Sequence, residues 1–309
     1  NGEETMMIGR PYDEDQTPVE RYDTVFRDNA STLVGWTALT SGSSIPGGVV
    51  GGSMGVYDGY AFRAESFGEN SNGWVGPAVK KSLSRAVQDF RMTMDIETLN
   101  RQGNVGKIQI DLLDAQDNVV ASVQMVDATN GAWRNRAIIT AGPYGTGHQI
   151  INHLPEGGGW NNFRGVLRIE RIGNTFYAYV ARVTGGRHHG RLTAQPFVDT
   201  LGEYSAPVTQ VRVYIAKSKN YNPFPIYFHG GNVWEINDLS NNEVPYIGKV
   251  GDLITFNMAE NLILINGEPR KDLKQFGSEY FHLKPGSNHL VTMPEETFTT
   301  KVRYREPYR

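Results

Sequence analysis

The chain contains no cysteine, and this absence excludes several kinds of chemistry at once. Without Cys among its 309 residues it has no disulfide, no thiolate metal site and no cysteine nucleophile. The composition is consistent with synthesis in a reducing compartment. Stability must therefore come from packing, for which the 39% of hydrophobic residues is sufficient.

Runs of like charge and long apolar runs are also missing. The net charge is −3, and the 30 Lys and Arg are scattered along the chain instead of being clustered. A basic patch is the usual electrostatic footprint of a nucleic-acid or anionic-membrane binder. The sequence has no 18-residue apolar run and no signal-peptide pattern. We therefore expect neither nucleic acid nor a membrane as a partner.

What the sequence has in abundance is period-two alternation, which predicts β-strands. The stretches FRMTMDIETL (90–99) and VGKIQIDLLD (105–114) each place apolar side chains at every second position. TQVRVYIAKS (209–218) and PIYFHGGNVWEI (225–236) add two further strands. Only VKKSLSRAVQDF (79–90) has helix-like spacing, and we predict loop and strand there with at most one helical turn.

Turn residues divide these strands into hairpins. Residues 105–127 form one predicted hairpin, and residues 165–183 form another across Gly173-Asn174. The stretch 49–66 is interpreted as a pair of strands broken by glycines. Asn266-Gly267, after the apolar run LILI, is a strong hairpin signal. Many short strands with hardly any helix predict an all-β fold of the two-sheet jelly-roll type.

The chain is long enough for two units, and a polar run at 237–242 marks the predicted boundary. We predict a jelly-roll β-sandwich over residues 24–237 and a smaller C-terminal β-sandwich over residues 238–309. Residues 1–23 are interpreted as a linker from a preceding segment. Trp36 and Trp234 lie within apolar strands and are predicted to belong to the core of the larger unit.

The last part of the chain carries a resemblance to a known family. The segment VPYIGKVGDLITFNMAENLILINGEPRKDLKQFGSEYFHLKPGSNHLVTMPEETFTTKVRYREPYR resembles the C-terminal domain of distal tail proteins of long-tailed phages that infect Gram-positive bacteria. Shared features are a strand ending in an Asn-Gly turn, the pattern F-x-L-x-P-G-x-N-x-L and a basic, aromatic end. MMIGRPYDEDQTPVERYDTVFRDN resembles the segment that leads out of the first domain of such proteins. The motif positions are Asn266, Gly267, Phe281, Leu283, Pro285, Gly286, Asn288 and Leu290.

This resemblance implies both an architecture and a function. Residues 24–237 would be the lectin-like carbohydrate-binding module that enlarged forms of the family carry as an insertion. The protein would act at the virion tail tip, made in the host cytoplasm or encoded in a prophage. Its expected partners are other phage tail proteins, further copies of itself, and a host cell-wall polysaccharide or teichoic-type polymer. A purely structural baseplate spacer is the alternative, and a glycan hydrolase is the third.

In this resemblance the terminal hairpin around Pro285-Gly286 has a structural role. A tight turn at Pro285-Gly286, with Asn288 bonded to the local main chain, would place Phe281, Leu283 and Leu290 in a small core. The ending TTKVRYREPYR (299–309) is predicted to form a strand with one solvent-exposed face.

The sequence offers little support for an enzyme. A glycosidase needs two carboxylates beside the scissile bond, and Asp95 with Glu97, at alternate positions of one predicted strand, supplies one such pair. A solvated strand face explains that pair better. No HExxH or Walker motif is present, and no pair of His stands at i, i+4. GGSMG (51–55) is interpreted as a Gly-rich strand break. We expect a binding protein rather than an enzyme.

Aromatic residues beside glycines and amides predict the binding site. A sugar ring has an apolar C–H face surrounded by hydroxyls, so its site needs an aromatic platform with polar neighbours. Flanking glycines would leave these aromatics exposed, with Trp160 the best candidate. For each one, a packing role is as well supported as ligand contact. The predicted site residues are Trp160, Asn161, Asn162, Trp133, Arg134, Asn135, Tyr144 and His148.

Two further features are weaker. The loop GGRHHGR (185–191) offers Arg187 and Arg191 to an anionic polymer, although an exposed polar loop explains it equally. Calcium is a candidate cofactor near Asp28 and Asp238, since lectin-like jelly rolls often bind one, but no EF-hand spacing supports it.

Overall fold

A computed structural model describes residues 5–9, 15–69, 72–100, 103–158, 160–293 and 297–305. This part of the chain is almost entirely β-structure, with short 3₁₀ turns at Glu156–Gly158 and Lys271–Leu273. The strands are β1 (Thr17–Val19), β2 (Tyr22–Asp28), β3 (Thr37–Ala38), β4 (Ser44–Ile45), β5 (Gly48–Val50), β6 (Ser53–Tyr57), β7 (Ala61–Ser66), β8 (Trp74–Gly76), β9 (Ala78–Val87), β10 (Phe90–Thr98), β11 (Gly106–Leu113), β12 (Val119–Asp127), β13 (Arg136–Ala141), β14 (His148–His153), β15 (Phe163–Ile172), β16 (Thr175–Thr184), β17 (Arg187–Thr193), β18 (Phe197–Val198), β19 (Val208–Ser218), β20 (Ile226–Ile236), β21 (Glu243–Pro245), β22 (Ile254–Asn257), β23 (Leu262–Ile265) and β24 (Glu268–Pro269).

Two large sheets form a sandwich, as the alternation predicted. The nine-stranded sheet has the order β17-β16-β15-β10-β20-β7-β6, with β18 beside β16 and β2 beside β20. The ten-stranded sheet has the order β14-β13-β12-β11-β19-β8-β5-β4, with β9 beside β19 and β3 beside β9. Chain neighbours such as β10 and β11 lie in different sheets, so the chain crosses between layers as a jelly roll does.

The core lies between the facing sides of these sheets. Met92, Met94 and Ile96 of β10 and the alternate positions Ile108 and Ile110 of β11 are fully buried in one cluster. Their intervening residues therefore point away from the core, because successive side chains on a strand alternate between faces. The outward faces of both sheets carry the polar residues on which any binding function depends.

The predicted hairpins are confirmed. β11 pairs antiparallel with β12, β15 pairs with β16 so that Ile172 faces Thr175, and β6 pairs with β7. Asn266 and Gly267 both have positive φ, 50° and 83°, and connect β23 to β24. Two positive φ values are what a tight two-residue hairpin requires.

One local expectation is confirmed and another is wrong. Residues 79–90 are mainly strand, as predicted, because β9 runs from Ala78 to Val87 and pairs with β19. Sheet pairing outweighs the weak helical spacing. Trp36 packs on the core through edge contacts with Phe26 and Phe62, as predicted, whereas Trp234 is half-buried and lies opposite Arg91 in the register.

The C-terminal region contains a small three-stranded sheet in the order β22-β23-β24. The same region contributes β21 to a separate two-stranded sheet with β1. Residues 280–283, 289–291 and 299–305 contain no strand, so the predicted terminal hairpin and last strand are not observed. Residues 306–309 of that last strand lie outside the described residues.

The turn within the terminal segment nevertheless forms. The side-chain oxygen of Asn288 accepts from the Lys284 amide at 3.0 Å, and its nitrogen donates to the Lys284 carbonyl at 2.8 Å. The predicted core beside it is wrong, because Leu283 and Leu290 are 40% and 46% exposed. Since the flanking residues do not pair as strands here, no neighbouring sheet covers these side chains.

The first residues of the chain pair with the C-terminal region. β1 runs parallel to β21, Ile8 forms a bridge with Lys274, and the Gly9 amide donates to the Leu273 carbonyl at 2.8 Å. These main-chain contacts join the N-terminal residues to the C-terminal region.

The hairpin turn at Asn266-Gly267 docks the small sheet on the sandwich. The carboxylate of Glu268, directly after the turn, accepts two hydrogen bonds from the Arg168 guanidinium of β15, at 3.0 and 2.6 Å. A side chain at Gly267 would overlap the Gly186 carbonyl, which explains the glycine there. Burial lowers the pKa of His188, which lies beside this contact and hydrogen-bonds Tyr179 at 2.8 Å.

Candidate functional site

The outward face of the ten-stranded sheet has an unusual composition. On β11, Lys107, Gln109 and Asp111 alternate with the apolar core residues and are nevertheless fully buried. In the register, Gln109 lies opposite Tyr214 and Asp111 lies opposite Arg212, both on β19. Buried charged residues are rare because removing them from water is costly. Something other than the core must therefore cover this face.

The cover is the hairpin of β4 and β5. Its main-chain carbonyls at Pro46, Gly47 and Val49 accept hydrogen bonds from Gln109 (2.9 Å), Lys107 (2.6 Å) and the Tyr214 hydroxyl (3.0 Å). A Cβ atom at Gly47 would lie 2.6 Å from the Gln109 side-chain oxygen, and its φ is +92°, so only glycine fits this approach. This half of the sheet face is closed to a ligand.

Lys107 lies at the edge of the covered region, among three aromatic rings. Its ammonium is 4.7 Å from the Tyr144 ring centre, 5.1 Å from that of Trp74 and 5.2 Å from that of Tyr214. Burial lowers the pKa of Lys107 to about 7, partly opposed by the charge of Asp111. The ammonium therefore loses its proton near neutral pH in the folded protein.

This proton loss makes stability depend on pH. An unfolded chain keeps the lysine protonated up to about pH 10.4. Between that value and the pKa of about 7 in the folded protein, the unfolded state binds more protons, so stability rises with pH. We expect the free energy of unfolding of the wild type to gain up to about 1.4 kcal/mol per pH unit relative to Lys107→Met between pH 7 and pH 9. Urea unfolding at several pH values measures this difference, and parallel curves for the two proteins would contradict it.

Beyond Lys107, toward β14, the same sheet face opens into a cavity of about 400 Å³. Val126 and Ile138 contribute apolar surface, and Tyr144 lies both on this cavity and against Lys107. Polar groups complete the lining as a connected chain. Arg136 donates to the Asn152 oxygen at 2.8 Å, and Asn152 donates to the Gln149 oxygen at 2.7 Å.

The charged residues described in the lining of this cavity are all positive. Arg134 and Arg136 both line it, and none of its described lining residues carries a carboxylate. An arginine guanidinium presents several donors in a plane that matches phosphate and carboxylate geometry. An aromatic ring, amide groups and two guanidinium groups around a pocket of this size suit a sugar unit that carries negative charge.

Two of the predicted site residues meet at this cavity. Arg134 and Tyr144 both line it, and the Trp133 side chain, next to Arg134 in the chain, is 56% exposed. Exposure of Trp133 agrees with the prediction from its neighbouring glycine. The contribution of these residues to ligand binding stays a prediction.

Trp160 is not exposed, and the expectation that its glycines would leave it accessible is wrong. The ring is 4% exposed, packs edge-on against Phe163 and donates its indole N–H to His153 at 3.0 Å. Trp160 therefore offers no surface on which a sugar ring could lie.

The amides beside Trp160 have structural partners. The Asn161 oxygen accepts from the Asn135 amide at 3.0 Å, and its nitrogen donates to the Trp133 carbonyl at 2.7 Å. Asn135 is fully buried, which contradicts its predicted place in an exposed site. Asn162 is exposed with a φ of 51°, and its carbonyl accepts from Arg182.

The remaining candidates lie apart from the cavity lining. His148 stacks on Phe197 with ring centres 3.7 Å apart, and Arg187 pairs with Glu260 at 3.0 Å. Asp28, a metal candidate, accepts from Lys81 at 2.7 Å and from the Trp36 indole at 3.0 Å. Within the described ranges, neither Asp28 nor Asp238 belongs to a group of three or more His, Asp or Glu that could hold a metal.

The carboxylate pair considered for a glycosidase lies on the other sheet. Asp95 and Glu97 both point outward from β10, where Asp95 pairs with Arg164 and Glu97 contacts His229 at 3.1 Å. Each carboxylate thus has a basic side chain as its partner on the same sheet face.

Sequence reasoning missed Arg136, Gln149 and Asn152. Arg136 and Gln149 end the stretches NGAWRNR (130–136) and GPYGTGHQ (142–149), three and five positions from Trp133 and Tyr144, and Asn152 lies three positions further on. The alternation of β13 and β14 did carry a signal, since Arg136 and Ile138 share one face and are opposite Val126 and Gln124 in the register. The buried polar residues Lys107, Gln109 and Asp111 likewise alternate with apolar residues in the sequence KIQID (107–111).

The geometry above is that of a two-sheet, lectin-like jelly roll with a polar cavity on one outward face. In agreement, the CBM2 module of the evolved Dit of Lactobacillus casei BL23 phage J-1 matches with a TM-score of 0.59 and 15% identity, over 72% of this chain and 100% of that one. An endo-β-1,3-glucanase from Pyrococcus furiosus matches with a TM-score of 0.47 and 12% identity, over 72% and 99%. The carbohydrate-binding module CBM66 from Bacillus subtilis matches with a TM-score of 0.35 and 16% identity, over 60% of this chain and 93% of that one.

The C-terminal part of the chain matches a known family. Residues 205–308 match the siphovirus-type tail component family, C-terminal domain. The resemblance of this part to a distal tail protein is confirmed by this match. The matched range begins before β19 and so includes the last two long strands of the sandwich. No curated protein sequence matches the chain significantly. Among the described residues, no helix is long and apolar enough to span a membrane.

Proposed function

We propose that this tail component attaches the phage to its host by binding a cell-wall saccharide in the cavity beside Tyr144. The observation that supports this proposal is the combination of Arg134, Arg136 and Tyr144 with an amide pair around about 400 Å³ of open space. The lining has cationic groups without carboxylates, so the ligand is an anionic wall polymer of the teichoic type. Phosphate groups along such a polymer would meet the two guanidinium groups.

The proposed setting is the virion tail tip, in contact with other tail proteins. We propose that residues 24–237 form the binding module and residues 238–309 the domain that joins it to the tail. Several copies would act together in the virion, so that weak single sites add up to tight attachment. Synthesis in the host cytoplasm, from a phage or prophage, agrees with the absence of cysteine.

The test is binding of the purified chain to Gram-positive cell walls, intact and after removal of teichoic-type polymers. The double variant Arg134→Ala/Arg136→Ala should bind intact walls at least about tenfold more weakly, because two charge-assisted contacts are lost. Binding of the wild type should also weaken as salt is raised, since these charges are partly exposed.

Arg191→Ala is the matched control, since it removes an exposed arginine of β17 that does not line the cavity. A loss confined to Arg191→Ala or Arg187→Ala would move the site to the 185–191 loop and contradict the proposal. If a folded, multimerised sample binds no wall at all, the protein is a structural spacer.

A further inference from the structure

Four aromatic rings meet on the outward face of the other sheet, at the turn between β6 and β7. Tyr57 lies 5.1 Å from Tyr227 and 5.7 Å from Tyr60, measured between ring centres. Tyr60 stacks on His229 at 5.7 Å with only 11° between the ring planes. The cluster joins residues from β6, the turn and β20, and belongs to the nine-stranded sheet, whereas the cavity lies on the ten-stranded sheet.

These rings face solvent instead of a core. Tyr60 is 50% exposed, and Tyr57 and Tyr227 are half-buried. Their three phenol hydroxyls make no hydrogen bond to any residue that the structure describes. Tyrosine usually pairs its hydroxyl when its ring is used for packing. Rings grouped at a surface with unpaired hydroxyls are suited to contact another molecule.

Charged and polar groups surround the rings, and carboxylates are in excess among them. Glu97 contacts His229 at 3.1 Å, the Arg63 guanidinium lies 4.7 Å from the Tyr57 ring centre, and Asp95 pairs with Arg164. Burial lowers the pKa of His229, which disfavours its charged form. Asp58, in the turn between Tyr57 and Tyr60, adds a third carboxylate to Glu97 and Asp95, so carboxylates outnumber the two guanidinium groups, in contrast to the purely cationic cavity.

We propose that this tyrosine patch, defined as Tyr57, Tyr60 and Tyr227, is a second saccharide site that takes neutral pyranose units. The apolar C–H face of a pyranose ring would lie on the exposed tyrosine rings, and its hydroxyls would bond to Glu97 and Arg63. The excess of carboxylates disfavours an anionic ligand. The inference does not rest on the cavity, because it uses different residues on the opposite sheet.

The experiment is saturation-transfer NMR of the full chain with neutral oligosaccharides of glucose, galactose, rhamnose and N-acetylglucosamine. We expect transfer to pyranose C–H protons with at least one of these probes, equally in low and high salt. Tyr57→Ala/Tyr60→Ala should weaken binding of that probe about fivefold or more, the effect of losing aromatic contact. Tyr60→Phe, which keeps the ring, should retain most of it.

Tyr177→Ala is the matched control, because Tyr177 is a 40% exposed tyrosine on β16 of the same sheet. Its removal should leave binding unchanged. The proposal is overturned if no neutral probe shows transfer, or if transfer persists in the double variant with the wild-type melting temperature. Self-association that the double variant abolishes, without saccharide binding, would instead assign the patch to a second copy of the chain. Arg134→Ala/Arg136→Ala should not alter this binding, which separates it from the cavity.

Discussion

Replacing Asp111 by asparagine should lower the free energy of unfolding by about 3–5 kcal/mol. Arg212 donates to one Asp111 oxygen through Nε at 3.0 Å and Nη2 at 2.7 Å, and Gln109 donates to both oxygens. The side chains of Asp111 and Arg212 are 0% and 3% exposed. Without the carboxylate, a buried guanidinium would remain beneath the β4–β5 hairpin with no opposite charge beside it.

Urea unfolding measures this loss, and Asp117→Asn is the matched control. Asp117 pairs with Lys80 at the same short distance of 2.7 Å, but its side chain is 53% exposed. An exposed pair contributes only about 0–1 kcal/mol because water screens it. The double variant Asp111→Leu/Arg212→Met should recover most of the stability, since neither charge then remains buried. Equal losses for Asp111→Asn and Asp117→Asn would show that solvent reaches the covered face.

Trp160→Ala should also destabilise the protein by about 3–5 kcal/mol, through the cavity that it leaves. The indole packs on Phe163 with ring centres 5.5 Å apart, and its N–H bond to His153 would be lost as well. Thermal or urea unfolding checks this, with wall binding measured well below the melting temperature. Binding by the fraction that stays folded should be close to that of the wild type.

Trp133→Ala provides the opposite case. Its ring is exposed, so truncation should change stability by less than about 0.5 kcal/mol. Wall binding should fall, because Trp133 stands beside Arg134 at the cavity. A Trp160→Ala protein that is as stable as the wild type but no longer binds walls would contradict the packing role of Trp160. It would support the prediction from the sequence that Trp160 contacts the ligand.

The hairpins were readable from the sequence because their signals are local. Alternation in β10 and β11 and the Asn266-Gly267 turn each depend on residues a few positions apart, and the structure agrees with all three. Trp160 and Trp133 show the limit of such local rules. Both stand beside glycines, but only the contacts of Trp160 with His153 of β14 and Phe163 of β15 decide that one ring turns inward.

The terminal segment shows a second limit. Its turn at Pro285-Gly286 forms through contacts within five residues, as expected from the motif. The strands on either side would need partners from elsewhere in the chain. The described residues place none next to Leu283 or Leu290, so the local motif is present without the core that it was expected to complete.

By itself, the sequence determined an all-β protein, its main hairpins and the tail-component resemblance, since these depend on periodicity and short motifs. Only the tertiary structure decided which polar faces are open. The β4–β5 hairpin covers Lys107 and the polar residues beside it, although it lies some 60 positions away in the chain, as the Lys107–Gly47 contact shows. The tyrosine patch likewise joins Tyr57 to Tyr227 across the sheet. A side chain's exposure depends on what the rest of the chain places over it, which is a long-range property.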